Sequence, residues 1–281
     1  MTTVPKQTDD NTKPERIAKV IARAGVCSRR DAEKLITQAQ VKVNGKMLDS
    51  PAFTVVPSDK IEVDGKPLPQ VEPTQLWLYH KPRGLVTSHK DEKDRTTVFQ
   101  KLPDVLPRVV SVGRLDINTE GLLLLTNDGE LARQLELPKT GWLRRYRVRA
   151  FGRVTQERLD KLKDGIRVGG VDYGPIEALI ERQQGDNQWI TMALREGKNR
   201  EIKHILEALG LKVNRLIRVS FGPFQLGDLK VGDVKAVKQK VLRDQIGKRL
   251  DPKVPESSKP KREKLKQGKP NANRRRRPQR G

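Results

Sequence analysis

Positive charge limits how much of this 281-residue chain can enter a compact core. Lysine and arginine number 58 against 35 aspartate and glutamate, giving a formal net charge of +23, and hydrophobic residues make up only 35 % of the sequence. Such an excess repels itself in a compact state unless a polyanion screens it. Nucleic acid is the first candidate for that polyanion, and an anionic membrane surface is the second.

The charge is concentrated towards the C-terminal end. Residues 251–281 carry twelve basic and three acidic side chains, with few aliphatic residues between them. A segment of this composition buries too little surface to offset the entropy of ordering it. We therefore predict a disordered basic tail over residues 246–281 that adds RNA affinity, and a disordered lead-in over residues 1–14. The tail also lacks the aromatic anchors of an interfacial segment, so we expect no membrane partner.

The residue types that usually hold metals, disulfides or nucleotide cofactors are scarce. Cys27 is the single cysteine, and His80, His89 and His204 show no metal-ligand spacing. Neither Gly-x-Gly-x-x-Gly nor a Walker A pattern occurs. No apolar region of a signal peptide is visible, and the longest apolar run, residues 122–125, is too short to span a bilayer. We expect no cofactor, no metal and a cytoplasmic setting.

Residues 15–74 are predicted to form a small domain of two helices followed by short strands. Apolar residues recur first at helical spacing, and Ser28 with Asp31 three residues later forms a capping box for a second helix. Asn-Gly at residues 44–45 and Asp-Gly at residues 64–65 are the dipeptides that favour tight hairpin turns.

The helices of this domain are basic. Between residues 16 and 46 there are eight basic and two acidic side chains. Arg29 and Arg30 stand at the start of the second helix, where the helix dipole disfavours cations, which favours a phosphate partner over an ordinary solvated face. The stretch Arg-Ile-Ala-Lys-Val-Ile-Ala-Arg-Ala-Gly, together with Val-Lys-Val-Asn-Gly at residues 41–45, resembles an S4 RNA-binding domain. That resemblance implies a small module that docks on structured RNA, and from the charge of the segment we expect Arg29 and Arg30 to contact it.

A second domain is predicted over residues 75–245. Apolar and alternating patterns predict strands at 76–80, 121–126, 145–151 and 190–194, and helices at 130–135, 155–162 and 199–209, the last one capped by Asn199. Strands and helices mixed in this way indicate an α+β domain with a mostly antiparallel sheet.

The segment most informative about chemistry runs from residue 111 to residue 129. It places Arg114 and Asp116 directly before a short apolar strand. A carboxylate beside buried strands is costly unless a cation pairs with it, so we expect an Arg or Lys from elsewhere next to Asp116. Such a pair keeps a carboxylate ionised, as a nucleophile requires. Local physics alone, however, favours a turn or a surface ion pair for an Arg-x-Asp loop.

The same segment resembles the signature of the RsuA/RluB/RluE/RluF class of pseudouridine synthases, in which Gly-Arg-Leu-Asp holds the nucleophile. The resemblance covers residue 16 to about residue 240 and implies cofactor-free isomerisation of a uridine in ribosomal RNA. It assigns the nucleophile to Asp116 and extrusion of the target base to Arg114. Tyr146 falls on the active-site tyrosine of the class, with a half-buried strand position as its competing interpretation.

Two further motifs of the class match this sequence, and each leaves two candidate residues for one role. In the motif at residues 196–204, the cation that pairs with the aspartate falls on Lys203, and Arg200 is a second candidate with a solvated helix face as its alternative. The apolar residue that lines the uracil pocket falls on Leu216 or Ile217, of which at least one is expected in the core.

The resemblance implies 23S ribosomal RNA, or a pre-ribosomal large-subunit particle, as the partner of a monomeric enzyme. Two alternatives stay open, namely 16S ribosomal RNA as the target and a non-catalytic S4-type protein of ribosome assembly. The intact Gly-Arg-Leu-Asp together with Tyr146 favours the enzyme. The motif at residues 80–88 is predicted to be mainly a Pro/Gly turn, with Lys81 and Arg83 as candidate RNA contacts.

Overall fold

The computed structural model of the protein describes residues 13–247. Almost all of the predicted lead-in and basic tail lies outside these residues, so the disorder of both segments stays a prediction. The described part is a mixed α/β structure with a helix pair at the N-terminal side and a large, mostly antiparallel sheet, as the sequence predicted. No helix among the described residues is long and apolar enough to cross a membrane.

Two helices and two small sheets form the N-terminal domain. The Oγ of Ser28 accepts a hydrogen bond of 3.1 Å from the main-chain N of Asp31, which confirms the predicted helix cap. Asn44 and Asp64 have positive φ angles, as the two predicted hairpin turns require. The elements are β1 (Glu15–Arg16), α1 (Ile17–Arg23), α2 (Arg29–Thr37), β2 (Val41–Val43), β3 (Lys46–Met47), β4 (Thr54–Val55), β5 (Ile61–Val63) and β6 (Lys66–Pro67).

The second domain is built on a nine-stranded sheet. Its elements are β7 (Leu76–Lys81), β8 (Val110–Val112), β9 (Thr119–Thr126), α3 (Gly129–Glu136), β10 (Arg144–Phe151), α4 (Gln156–Asp160), β11 (Ile166–Val168), β12 (Val171–Tyr173), β13 (Ile176–Gln184), β14 (Asn187–Leu194), α5 (Glu201–Ala208), β15 (Lys212–Phe221), β16 (Phe224–Gln225), β17 (Val234–Ala236) and α6 (Gln239–Ile246). The main strand order is β13-β14-β10-β15-β9-β7-β17, and β11 and β12 form a separate hairpin.

The parallel pair β9 and β15 divides the large sheet into two halves, each with its own core. Side chains of β10, β13 and β14 pack with α4 and α5 in one half, whereas β7, β8 and β9 pack with α3 and α6 in the other. Gly121 lets the two central strands approach, because its φ is +100° and a Cβ there would collide with the main-chain oxygen of Arg218. The loop that precedes β9 therefore opens where the halves meet.

Two helix boundaries differ from the prediction. Asn199 does not cap α5, which begins at Glu201 after Arg200 adopts a left-handed φ of +48°. The predicted helix over residues 155–162 is α-helical only to Asp160 and continues as a 3-10 helix to residue 164. Both differences are local, and α4 and α5 pack on the strands of the large sheet.

Candidate active site

A cleft of about 990 Å³ opens at the junction of the two half-sheets. The loop before β9, the strands β10 and β15 and the segment that leads into α5 line it. A space of this size admits a nucleotide and leaves room for its flanking backbone. Within residues 13–247, no group of three or more His, Cys, Asp or Glu side chains is placed to hold a metal ion.

Asp116 lies in the loop between β8 and β9 and faces this cleft. Its side chain is 32 % exposed, so the carboxylate is open to a substrate. The preceding Leu115 is buried and anchors the loop, whereas Arg114 is exposed at the rim of the cleft. The loop therefore holds Arg114 at the rim of the cleft and turns the carboxylate of Asp116 into it.

Lys203 is the cation that lies next to this carboxylate. Its Nζ is 3.6 Å from Oδ2 of Asp116, and it projects from the first turns of α5. Arg200, the other candidate, lines the cleft but is exposed and forms no ion pair with a residue of the described part. The sequence led us to expect a Lys or Arg beside Asp116, and the structure brings Lys203 there.

Tyr146 from β10 and Leu216 from β15 lie in the wall of the cleft. The Tyr146 residue is only 9 % exposed, and it packs in the same core as Leu216. Ile217 points to the opposite face of the sheet, because successive side chains alternate along a strand and its Cα pairs with that of Arg147. Of the two apolar candidates for the pocket, only Leu216 reaches the cleft.

The same alternation divides the arginines that flank Tyr146. Arg144 turns into the cleft and is buried. Arg145, Arg147 and Arg149 turn to the opposite face of the sheet. The four arginines that flank Tyr146 in the sequence therefore lie on two opposite faces of the sheet. Only Arg144 lies at the cleft.

Two buried arginines lie side by side at the cleft. Arg144 is 9 % exposed and donates Nη1 to two main-chain carbonyl oxygens at 3.0 and 2.7 Å. Arg218 is 3 % exposed and donates Nε to the carbonyl oxygen of Leu122 at 2.7 Å. Both guanidinium groups stack on the ring of Phe221, at 4.7 and 5.3 Å from its centroid. Burial lowers the pKa of Arg144, and the neighbouring charge of Arg218 acts in the same direction.

Lys81 has a structural part in the site that the sequence did not reveal. It is fully buried at the end of β7 and is not available to RNA. Its Nζ donates hydrogen bonds to four main-chain carbonyl oxygens, those of Pro82 (3.0 Å), Asp116 (3.2 Å), Ile117 (3.4 Å) and Thr119 (3.0 Å). Burial lowers the pKa of Lys81 to about 8, against the opposing charges of Asp116 and Glu120. The only sequence signal was a lysine that ends an apolar strand.

The residues after Lys81 hold the same loop. The main-chain N of Gly84 donates to the carbonyl oxygen of Ile117 at 2.7 Å. The hydroxyl of Thr87 donates to the carbonyl oxygen of Leu115 at 2.9 Å. The turn predicted at residues 80–88 is therefore a support for the backbone on both sides of Asp116.

Arg29 and Arg30 are not brought into the cleft. Both are exposed at the start of α2. The helix pair that carries them is linked to the second domain by an ion pair between Lys19 on α1 and Glu130 on α3. These arginines therefore form a separate basic surface.

Comparison with known proteins agrees with both domains. Residues 75–208 match the RNA pseudouridylate synthase family model, and residues 15–61 match the S4 domain model. An uncharacterized RNA pseudouridine synthase of Rickettsia typhi is 48 % identical over 84 % of this chain and 96 % of its own length. Ribosomal large subunit pseudouridine synthase B of Bacillus subtilis is 40 % identical over 79 % of this chain and 91 % of its own. A crystal structure of a pseudouridylate synthase is 28 % identical, with a TM-score of 0.59 over 82 % of this chain and 99 % of its own.

Proposed function

The chain belongs to the RNA pseudouridine synthases of the RluB/RsuA type, and from this premise we propose that Asp116 is the nucleophile that isomerises one uridine of 23S ribosomal RNA. The observation that carries the proposal is the carboxylate of Asp116, which faces an open cleft with Lys203 at 3.6 Å. A carboxylate with a cation beside it has the charge that covalent attack requires.

The reaction exchanges one bond of the nucleoside for another. The N1–C1′ bond breaks, the freed uracil turns, and a C5–C1′ bond forms, while C5 loses a proton and N1 gains one. Atoms and electrons balance without a redox partner or a nucleotide. An oxygen of Asp116 bonds transiently to either the sugar carbon or the uracil ring, and that bond breaks again before the product leaves, which regenerates the carboxylate. Both routes need a carboxylate held in place.

Access to the N1–C1′ bond requires that the base leave its stack. Arg114 is exposed at the rim of the cleft, where it can occupy the position of the extruded base. The ring of Tyr146 provides a face on which uracil can stack, and Leu216 supplies an apolar contact beside it. These three residues divide extrusion, stacking and packing between them.

The RNA also needs a docking surface away from the reacting base. Arg29 and Arg30 are exposed on the S4 helix pair, where cations can pair with phosphates of a folded RNA. The name of the Bacillus subtilis relative supports a large-subunit target, either free 23S ribosomal RNA or a pre-ribosomal particle. We propose that the protein acts there as a monomer, in the cytoplasm and without a membrane partner.

The role of Asp116 is tested with Asp116→Asn and Asp116→Ala. Each variant should fold and bind RNA with affinity close to that of the parent protein, yet form no pseudouridine in a tritium-release assay on 23S transcripts. Asp186→Asn is the matched control, since this carboxylate is 70 % exposed in the loop between β13 and β14. Turnover by either Asp116 variant contradicts the assignment.

The target is tested by mapping pseudouridine in ribosomal RNA from cells that lack this protein. One site should disappear from 23S ribosomal RNA and return when the parent gene, but not Asp116→Asn, is restored. A site lost from 16S ribosomal RNA would change the target and keep the enzyme. Complete retention of all sites, together with a ribosome-assembly defect that Asp116→Asn rescues, would favour the non-catalytic alternative.

A further inference from the structure

Arg218 combines a buried position with an unused donor. The residue is 3 % exposed, and its Nη2 has no hydrogen-bond partner among residues 13–247. Its Nε donates to the carbonyl oxygen of Leu122, and its guanidinium carbon lies over the ring of Phe221, 5.3 Å from the centroid. A buried guanidinium nitrogen without a partner is costly, because it has lost its water and gained nothing in exchange. The side chain is therefore held through Nε, and guanidinium donors that residues 13–247 do not use are left for a ligand.

Arg218 lies at the part of the cleft where the base is expected. The Cα of Arg218 pairs with that of Tyr146 across β15 and β10, and both side chains line the cleft. Side chains paired in this way on one sheet face are neighbours, about 5 Å apart at Cβ. A ring that stacks on Tyr146 therefore has its edge within reach of the Arg218 side chain.

Uracil offers two acceptors at such an edge, its carbonyl oxygens O2 and O4. Phosphates stay with the RNA backbone at the mouth of the cleft, where the exposed Arg114 and Arg200 lie. Only the extruded base goes deep enough to meet a residue that is almost fully buried. We propose that Arg218 is a specificity-determining residue that binds one carbonyl oxygen of the extruded uracil through its guanidinium group.

The contact has a consequence for the reaction itself. When the N1–C1′ bond breaks, its electron pair passes to the uracil ring, and the carbonyl oxygens carry much of that charge. A fixed cationic donor strengthens its hydrogen bond to an oxygen as that oxygen becomes negative. Arg218 should therefore affect the rate of the bound complex more than its affinity.

This inference rests on the proposed function, and a chemical double-mutant cycle tests it. The substrates are short RNA transcripts that span the mapped uridine and carry uracil, 2-thiouracil or 4-thiouracil at that position. The proteins are the parent chain, Arg218→Met and Arg218→Lys, under single-turnover conditions with saturating enzyme. Arg145→Met is the matched control, because it removes one exposed arginine from the opposite face of β10.

Arg218→Met should slow conversion of uridine about 10- to 100-fold, as expected for the loss of one charge-assisted hydrogen bond. Sulfur at the contacted carbonyl should slow the parent enzyme strongly and slow Arg218→Met by less than about two-fold further. Arg218→Lys should keep part of the rate, and Arg145→Met should behave like the parent.

Equal sulfur effects in the parent and in Arg218→Met, at both ring positions, would overturn the proposal. If Arg218→Met melts at a much lower temperature, the same comparison in Arg218→Lys decides the matter, because it retains the charge but not the planar fork. Full activity of Asp116→Asn would instead contradict the proposed function, so the two failures are distinct.

Discussion

The arginines of α2 and the arginines of the cleft share a chemical group but differ in how they can act. Arg29 and Arg30 are exposed, so water and salt screen their charges and each contributes modestly to binding. Arg144 and Arg218 are buried, fixed on main-chain carbonyl oxygens and stacked on one aromatic ring. Removal of an exposed cation should lower affinity, whereas removal of a fixed one should lower the rate.

Of the two lysines near Asp116, Lys81 is buried and fixed on main-chain carbonyl oxygens, whereas Lys203 is half-buried. The Nζ of Lys203 lies 3.6 Å from Oδ2 of Asp116, and Lys81 donates to the main-chain carbonyl oxygen of Asp116 from within the core. Neither lysine needs to contact RNA to influence Asp116.

The largest effect is expected at Lys203. Lys203→Met should lower kcat about 100-fold, because a nucleophile displaced by even about 1 Å loses its reactive geometry. The KM for RNA should change little. Lys203→Arg, which restores the cation, should recover most of the activity. Single-turnover rates on 23S transcripts give the answer, and a Lys203→Met enzyme with a normal rate and a raised KM would place Lys203 with the docking cations.

Deletion of residues 251–281 should be the next largest effect. The loss of twelve basic side chains should weaken RNA binding about ten-fold or more at low salt and flatten its dependence on salt concentration. The rate at saturating RNA should stay near that of the full chain. Filter binding at several salt concentrations provides the slopes, and an unchanged slope would count against contact between this segment and RNA.

A smaller effect of the same kind is expected from Arg29→Gln combined with Arg30→Gln. Two phosphate contacts fewer should reduce the salt slope by about one to two units and the affinity several-fold. The catalytic rate of the saturated enzyme should not change. A fall in that rate with no change in slope would mean that these arginines influence the cleft and not the docking of RNA.

The smallest effect concerns the pH dependence of stability at Lys81. Its pKa is lowered to about 8 in the fold from 10.5, so above about pH 8 the unfolded chain binds more protons at this position than the folded one. The free energy of unfolding of the parent, measured relative to Lys81→Met, should therefore rise between about pH 8 and 10, by at most about 1.4 kcal/mol per unit. Urea unfolding at three pH values tests this, and a difference that is flat or falls with pH contradicts it.

Much of the fold was predictable because its signals are local. The helix cap at Ser28, the hairpin turns and the apolar strand after Asp116 depend on residues within a few positions of each other. The start of α5 was misplaced because the left-handed conformation of Arg200 has no marker in its residue type. The strand alternation was visible in the sequence, but it did not by itself say which face of β10 borders the cleft.

The amino-acid sequence alone indicated two successive domains, the basic character of the protein and the motifs that point to Asp116, Tyr146 and Lys203. Only the tertiary structure decided that Leu216 and not Ile217 meets the cleft, that Lys81 is buried beneath the loop, and that Nη2 of Arg218 has no partner among residues 13–247. These outcomes depend on contacts between residues 35 to 96 positions apart. The residue type gives a side chain its charge, but burial and fixed partners decide what that charge can do.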